Sequence, residues 1–308
     1  MRRQGVGAVV LTLIVAGATS APAQTEQQKD WCFKHGFSSE QVIQGCTAVL
    51  QASQTSPDRR AQAHLNRGRI YFERGDFDRA LAEADQAIRL KPDYAGAYAA
   101  RCALHRARRA YDRAIADCDQ AIRLNPQEGL ALANRGAIHL ELVEYDRTIA
   151  DLDHAICLDP RDAKAFADRG VAWHKGQHDR AIADLDQAIR LDPTSGPAYN
   201  SRCLCRAIMV QAAQALPDCE EALQLLTDEP DVLNSLGFAH LKMGNFDRAI
   251  AAYNAALRKE PRSASSLYDR GLATLKKGDR LGSNADLAAA RIIDPGIDER
   301  YAGFGVRP

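Results

Sequence analysis

The chain has 308 residues and carries 40 lysines and arginines against 40 aspartates and glutamates. Charges balanced in this way do not suit a polyanion, which excludes nucleic acid as an expected partner. Residues 1–23 form a basic start (Arg2-Arg3), an apolar run (Val6–Ala18) and a small-residue pattern (Ala21-Pro22-Ala23), the layout of a secretory signal peptide cut before Gln24. The alternative, an uncleaved anchor, would need a longer run: Val6–Ala18 is short for a bilayer crossing, so no membrane span is expected after cleavage. No cysteine follows the run where a lipoprotein anchor would need one, and loss of Arg2 and Arg3 moves the formal charge from 0 to about −2.

Residues 24–60 precede the regular part of the chain. Cys32 and Cys46 flank Ser38-x-x-Gln41, which has the spacing of a helix capping box, so this segment is expected to be a short helical hairpin.

From Ala61 onward a 34-residue rhythm governs the sequence. Ile-Arg-Leu-Lys-Pro ends at Pro92, Ile-Arg-Leu-Asn-Pro at Pro126 and Ile-Cys-Leu-Asp-Pro at Pro160, and the beat continues with small slips at Pro193, Pro261 and Pro295. A fixed period of this size marks a stacked-repeat protein. Within 61–94, Ala61, Leu65, Gly68 and Tyr71/Phe72 fall at helical spacing. Gly75-Asp76 breaks the pattern, with Asp76 or Asp78 placed to cap a second helix through Ala80, Leu81, Ala84, Ala87, Ile88 and Leu90. Pro92 ends that helix, because the residue before proline resists the α region. Neither helix can bury its apolar stripe alone, so the units must stack.

Seven units are expected over 61–297, at 61–94, 95–128, 129–162, 163–195, 196–229, 230–263 and 264–297, with a tail at 298–308. The fourth is one residue short at His174-Lys175-Gly176. The fifth is the most degenerate: Thr227 replaces the proline and Pro217 falls inside the second helix, which a helix starting late, near Leu216, would accommodate. Asp-Arg doublets (Asp78-Arg79, Asp112-Arg113, Asp146-Arg147, Asp179-Arg180, Asp247-Arg248) open second helices, where the aspartate reads as a cap.

Gly68, Tyr71, Ala80, Ala87 and Pro92 resemble the signature of the tetratricopeptide repeat, and the match returns at Gly170, Trp173, Ala181, Ala188 and Pro193 and at Gly237, Ala249, Ala256 and Pro261. The resemblance implies an all-α fold, a right-handed α-solenoid of about seven 34-residue helix-turn-helix units, serving as a protein-interaction scaffold rather than an enzyme. Asn134-Arg135-Gly136 and Ala181–Leu191 resemble bacterial members, which with the signal implies a periplasmic location.

The family lines its concave face with first helices. Carried onto this chain, that face takes Leu65, Arg69 and Phe72 from unit one, Arg106 from unit two and Leu140 from unit three. It continues with Val171 and His174, then Asn200, then Asn234, Phe238 and Leu241, and finally Tyr268 and Leu272. Such a mostly apolar groove suits an extended peptide or an amphipathic helix. Co-chaperone members clamp a carboxylate with lysine, asparagine and arginine, but the equivalent positions here are Leu65, Ala99, Ala133 and Ala167, so that clamp is absent. Gly303-Phe304-Gly305 either covers the open edge of the last unit or frays.

Arg67, Arg101, Arg135, Arg169, Arg202 and Arg270 each have an acid later in the same unit (Glu83, Asp117, Asp151, Asp184, Asp218, Asp286), while unit six lacks both, with Leu236 and Ala252. Joint presence and joint absence point to an ion pair between the two helices of each hairpin rather than to a ligand site. No Gly-x-Ser-x-Gly, Walker loop, His-Glu-x-x-His or dinucleotide fingerprint occurs, and His139, His154, His174 and His178 fall on different faces, so no catalytic, cofactor or metal site is expected. The main reading is an envelope scaffold that binds a protein or peptide. The alternative is a structural protein that self-associates, with a redox or metal-handling role a distant third.

Eight cysteines in an exported chain are disulfide candidates, and eight allow 105 pairings. The repeat register selects among them. Cys102 and Cys118 take the eighth and twenty-fourth positions of unit two, Cys203 and Cys219 the same positions of unit five, and these positions lie at one height in an antiparallel hairpin. Cys32–Cys46, Cys102–Cys118 and Cys203–Cys219 are therefore expected, with buried free thiols as the alternative. Cys205 falls at a core position and Cys157 at a solvated one. Non-reducing peptide mapping should return these three pairs; a free or cross-hairpin member among the six would overturn the assignment.

Overall fold

A computed structural model describes residues 21–173, 177–209 and 211–303. Most of the expected signal segment, the short turn of unit four with His174, and Phe304 lie outside the described residues. No strand occurs among the described residues, and the chain is the expected all-α solenoid of hairpins. An N-terminal hairpin is made of α1 (Ala21–Asp30) and α2 (Ser39–Gln51). Units one to three pair α3 (Pro57–Glu73) with α4 (Phe77–Leu90), α5 (Ala95–Ala107) with α6 (Tyr111–Leu124) and α7 (Gly129–Glu141) with α8 (Tyr145–Leu158). Units four and five pair α9 (Ala163–Ala172) with α10 (His178–Leu191) and α11 (Gly196–Ile208) with α12 (Ala212–Leu225). Units six and seven pair α13 (Pro230–Lys242) with α14 (Phe246–Lys259) and α15 (Ala264–Lys276) with α16 (Arg280–Ile293), and α17 (Ile297–Gly303) follows. The chain clusters into two compact units, Met1–Ala97 and Tyr98–Pro308.

Capping explains where the first helices begin. Ser38 accepts from the Gln41 amide and Gln41 returns a bond to the Ser38 amide, the capping box expected for α2. Ser56 caps α3 with Pro57 in its first turn, so this helix starts four residues before Ala61, and the first unit is longer than its period predicts. Asp76 caps α4 through the Arg79 amide at 3.1 Å. The Asp-Arg doublets open second helices as expected, but by charge and not through a cap bond. Asp112, Asp146, Asp179 and Asp247 sit inside the first turn, and the residues before these helices make no side-chain cap bond. Their carboxylates act on the helix dipole, not as hydrogen-bonded caps.

Pro217 also overturns an expectation. α12 does not start late; it runs from Ala212 with Pro217 inside it. The ring removes the amide that would bond the Ala213 carbonyl, but Ala213 and Pro217 are both exposed, so that carbonyl is not left in a buried, waterless place.

Small residues set how closely the helices of a hairpin approach. Ala80, Ala84 and Ala87 of α4 are buried, as are their counterparts in later second helices. At the eighth position of unit six a Cβ on Gly237 would lie 2.6 Å from the Tyr253 ring, so only glycine fits against that buried tyrosine. In units two and five the same position holds a cysteine, and the close approach becomes a covalent link. Cys102–Cys118 and Cys203–Cys219 both have Cα atoms 5.4 Å apart, and Cys32–Cys46 spans 4.6 Å, so all three expected pairs are bonded.

The turn between the helices needs a left-handed residue. Gly75, Gly244 and Gly278 supply it in units one, six and seven, but Arg109 and Val143 hold the same place in units two and three at φ 56° and 64°. A β-branched side chain there is strained, and Val143 is 64% exposed, so its side chain recovers little by packing. Val143→Gly should stabilise the protein by about 0.5–1 kcal/mol, read as a higher denaturant midpoint. An unchanged or lower midpoint would show that the turn carries no strain.

Candidate functional site

The charged positions form a ladder, and its geometry is more extensive than one pair per hairpin. Arg135 grips Asp151 with two bonds of 2.9 and 2.6 Å, and its third nitrogen reaches back to Asp119 of the preceding unit at 2.6 Å. Arg169 does the same with Asp184 (2.8 and 2.7 Å) and Asp153 (2.7 Å). Arg202 holds Asp218 (2.9 and 2.5 Å) and Asp186 (2.6 Å). Arg270 holds Asp286 at 2.7 Å twice and, because unit six lacks an acid there, takes the Asn254 amide oxygen at 2.8 Å. In the first unit Arg67 pairs with Glu83, also bound by His64 at 2.7 Å, and reaches Thr47 at 2.9 Å. The hydrogen bond to Asp151 is the largest cause holding the Arg135 guanidinium above its usual range.

A further donor completes several rungs. Trp173 gives its indole N–H to Asp184 and Arg206 a guanidinium N–H to Asp218, each at 2.7 Å. These groups are spent on the fold. The sequence signal for the second acid was the Asp-x-Asp spacing at Asp117/Asp119, Asp151/Asp153 and Asp184/Asp186, whose later member faces the next unit's arginine.

The residues expected along the first-helix face divide by burial. In the first compact unit Leu65 packs beside Ala61, Ala87 and Ala97. Arg69 is paired with Glu73, and Phe72 is 39% exposed, edge-on to Phe77 at 5.6 Å. A cleft of about 560 Å³ near Phe33 and Tyr94 has its charges answered from within, Lys34 by Asp30 at 2.6 Å and Lys91 by Asp58 at 2.9 Å.

In the second unit Arg106 is tied to Glu141 at 3.0 Å, a carboxylate that Tyr111 also binds, and to Asn134 at 3.4 Å. Leu140 is half-buried. Val171 and Leu204 are exposed at 44% and 39%, and Leu130, which the sequence reading did not single out, at 54%. These three belong to α7, α9 and α11, which neighbour one another in turn. Leu130 sits one helical repeat of seven before Ala137, the equivalent of Val171 and Leu204, and that spacing is the signal that could have found it. Asn200 Oδ1 is buried with no hydrogen-bond partner among the described residues.

Phe238, Tyr268 and Leu272 differ from expectation. They are buried at 4%, 0% and 1% exposure and present no surface to a partner in this conformation. Phe238 packs among Cys203, Ala207 and Ala239, and Leu241 is wedged beside the same core. Tyr268 and Leu272 lie under α17, whose Ile297 and Tyr301 share their cluster. The edge cover therefore comes from α17. Asn234 is engaged too, accepting from Ser266 at 3.0 Å.

The closure by α17 includes a buried acid. Asp269 is 1% exposed and accepts from the Tyr301 hydroxyl at 2.8 Å. Burial pushes its carboxyl up to about 7, against the bonds from Tyr301 and Asn234 and the charge of Lys242. Burial likewise pushes the Cys205 thiol up to about 11, so it stays protonated and unreactive near neutrality, while Cys157 is exposed. Among the described residues no group of three His, Cys, Asp or Glu side chains could hold a metal ion, and no helix is long and apolar enough to cross a membrane.

Comparison with known proteins agrees with this geometry. Models of the tetratricopeptide repeat match residues 61–94, 171–195 and 235–296. The chain is a tetratricopeptide-repeat protein. No curated protein sequence matches it. Among solved structures it is similar to the anaphase-promoting complex hetero-tetramer Cut9-Hcn1, with a TM-score of 0.64 at 16% identity over 92% of this chain and 54% of that one. It is also similar to PilW, a type IV pilus biogenesis factor, with a TM-score of 0.58 at 19% identity over 67% of this chain and 96% of that one. A tetratricopeptide repeat protein from Parabacteroides merdae gives 0.57 at 15% identity over 80% and 99%. At these identities the likeness is one of fold.

Two measurements test these arrangements. A double-mutant cycle on Arg135→Ala and Asp151→Ala should give a coupling of about 1–3 kcal/mol, since both groups are largely shielded from water and the pair is charged. Zero coupling would remove the ladder from the stability of the array. For Asp269 the folded value (about 7) lies above the unfolded one (3.8). Its contribution is therefore complete below the unfolded value and is lost as pH rises through 7. Stability should fall by about 1 kcal/mol between pH 6 and pH 8, and Asp269→Asn should remove that step from the pH profile of thermal unfolding.

Proposed function

We propose that this protein is a cell-envelope interaction scaffold that binds an extended peptide or an amphipathic helix on the first-helix face of α7, α9 and α11. The observation that carries this reading is the run of exposed apolar side chains Leu130, Val171 and Leu204 on three adjacent first helices. The arginines of the ladder are spent on acids of the chain itself, so affinity should come from apolar contact rather than from charge.

A bacterial periplasmic location is part of the same proposal. It is supported by the signal-like residues 1–23 and by three disulfides, which an oxidising compartment would form and preserve. Binding rather than catalysis fits the repeat architecture.

The test is selection of peptides from a random phage-displayed library on the oxidised protein. Apolar sequences should be enriched, with binding insensitive to salt. Val171→Asp/Leu204→Asp should weaken that binding at least tenfold without shifting the thermal midpoint, because both side chains are exposed. Selection of acidic peptides with steep salt dependence, or binding that survives the double substitution, would place the partner surface elsewhere.

A further inference from the structure

The outer face of the last second helix departs from the polar pattern of its predecessors, among which unit five (Ala213, Pro217, Glu220 and Gln224) is the irregular one. Four positions, spaced four, three and four residues apart, lie along one side of each second helix. Units one, two and four read Asp-Ala-Asp-Arg there, and unit six reads Asp247, Ala251, Asn254 and Arg258. Unit seven reads Leu281, Ala285, Ala288 and Ile292. All four are exposed, and Leu281 (86%) and Ile292 (81%) far exceed the other exposed large apolar side chains of the described residues. In the last unit no further hairpin stacks on this face, so it should be polar. This one has exchanged its charges for branched aliphatics.

We infer that α16 is a self-association surface, on which a second copy of this chain lays its own α16 antiparallel across a two-fold axis. The spacing is that of a heptad seam, in which every residue of the stripe faces the partner helix. The order large, small, small, large reads the same in both directions. About a two-fold axis Leu281 meets Ile292 of the second copy at each end, while alanine meets alanine at the centre and lets the helices approach closely. The flanks fit this orientation. One side carries Gly282 and Ala289, which add no bulk, and the other carries Asn284 and Arg291, which brings Arg291 opposite Asn284 of the second copy. Arg291 is already neutralised by Asp298 at 2.7 and 2.9 Å, so no bare like charges meet. Ala288 stands where Asn254 receives Arg270, so the face lacks the acceptor that a head-to-tail copy would need for the ladder. The surface is separate from the first-helix face, and its occupancy does not depend on the peptide reading.

Four residues per copy bury less than a standard specific interface, so only a weak, reversible dimer with a Kd on the order of 100 µM is expected. Sedimentation equilibrium of the oxidised chain should show monomer passing to dimer over that range. Leu281→Glu/Ile292→Glu should weaken association at least tenfold with an unchanged circular-dichroism melt. In a Cys157→Ser background, Leu281→Cys and Ile292→Cys proteins should cross-link when mixed but not when each is oxidised alone. Three results would overturn the inference: a chain that stays monomeric up to about tenfold above that Kd, a dimer indifferent to the glutamates, or a dimer that appears only after deletion of residues 304–308, which would make the chain's own tail the occupant.

Discussion

In units three, four and five a single arginine grips two acids at once, and this is the contact on which the array depends. Arg135, Arg169 and Arg202 each close their own hairpin through a two-bond grip on one aspartate and bind the preceding unit through a second. An isolated ion pair repays little of its desolvation. Here each guanidinium satisfies several donors at once, and the aspartate of its own hairpin is bonded on both oxygens. The same side chain thus sets the pairing of helices within a hairpin and the register between hairpins, so these hairpins cannot slip on their predecessors without breaking a charged contact.

Where the ladder is interrupted, other forces take its place. Unit six has Leu236 and Ala252 at the rung, and its hairpin instead closes on Gly237 against the buried Tyr253. Units two and five add a disulfide at the height where other units place glycine against a second helix. The fifth unit has the least regular sequence and a proline in α12, and a covalent tie there holds two helices that propensity alone would leave weakly paired. Covalent, ionic and steric means are interchangeable at this one level of the hairpin because the geometry asks only that two backbones come close.

The two ends have different solutions. At the N-terminal end Cys32–Cys46 fastens a hairpin too small to hold a core of its own, and Thr47 takes the place of the missing acid opposite Arg67. At the C-terminal end α17 folds back to bury Tyr268 and Leu272, and it brings Tyr301 onto a carboxylate that has left water. That closure takes Tyr268 and Leu272 out of the expected groove, as the core shared with unit five takes Phe238, and open apolar side chains are left on α7, α9 and α11.

The 34-residue period, the helix–turn–helix unit, the three disulfides and the pairing of each arginine with an acid of its own unit were all legible in the amino-acid sequence. Each is a matter of spacing along one hairpin, where a separation of 14 to 16 residues brings two helices to the same height. The second acid of each rung, the burial of Phe238, Tyr268 and Leu272, the exposure of Leu130 and the apolar outer face of α16 were decided only by the tertiary structure. They depend on how one hairpin lies on the next and on where α17 turns back. A repeat position can say that a residue is on a first helix, but whether that residue meets solvent or a neighbour is settled by the units packed on either side of it. Pro217 shows the same limit in reverse: local chemistry argued for a helix starting late, near Leu216, and the exposure of Ala213 lets it run from Ala212.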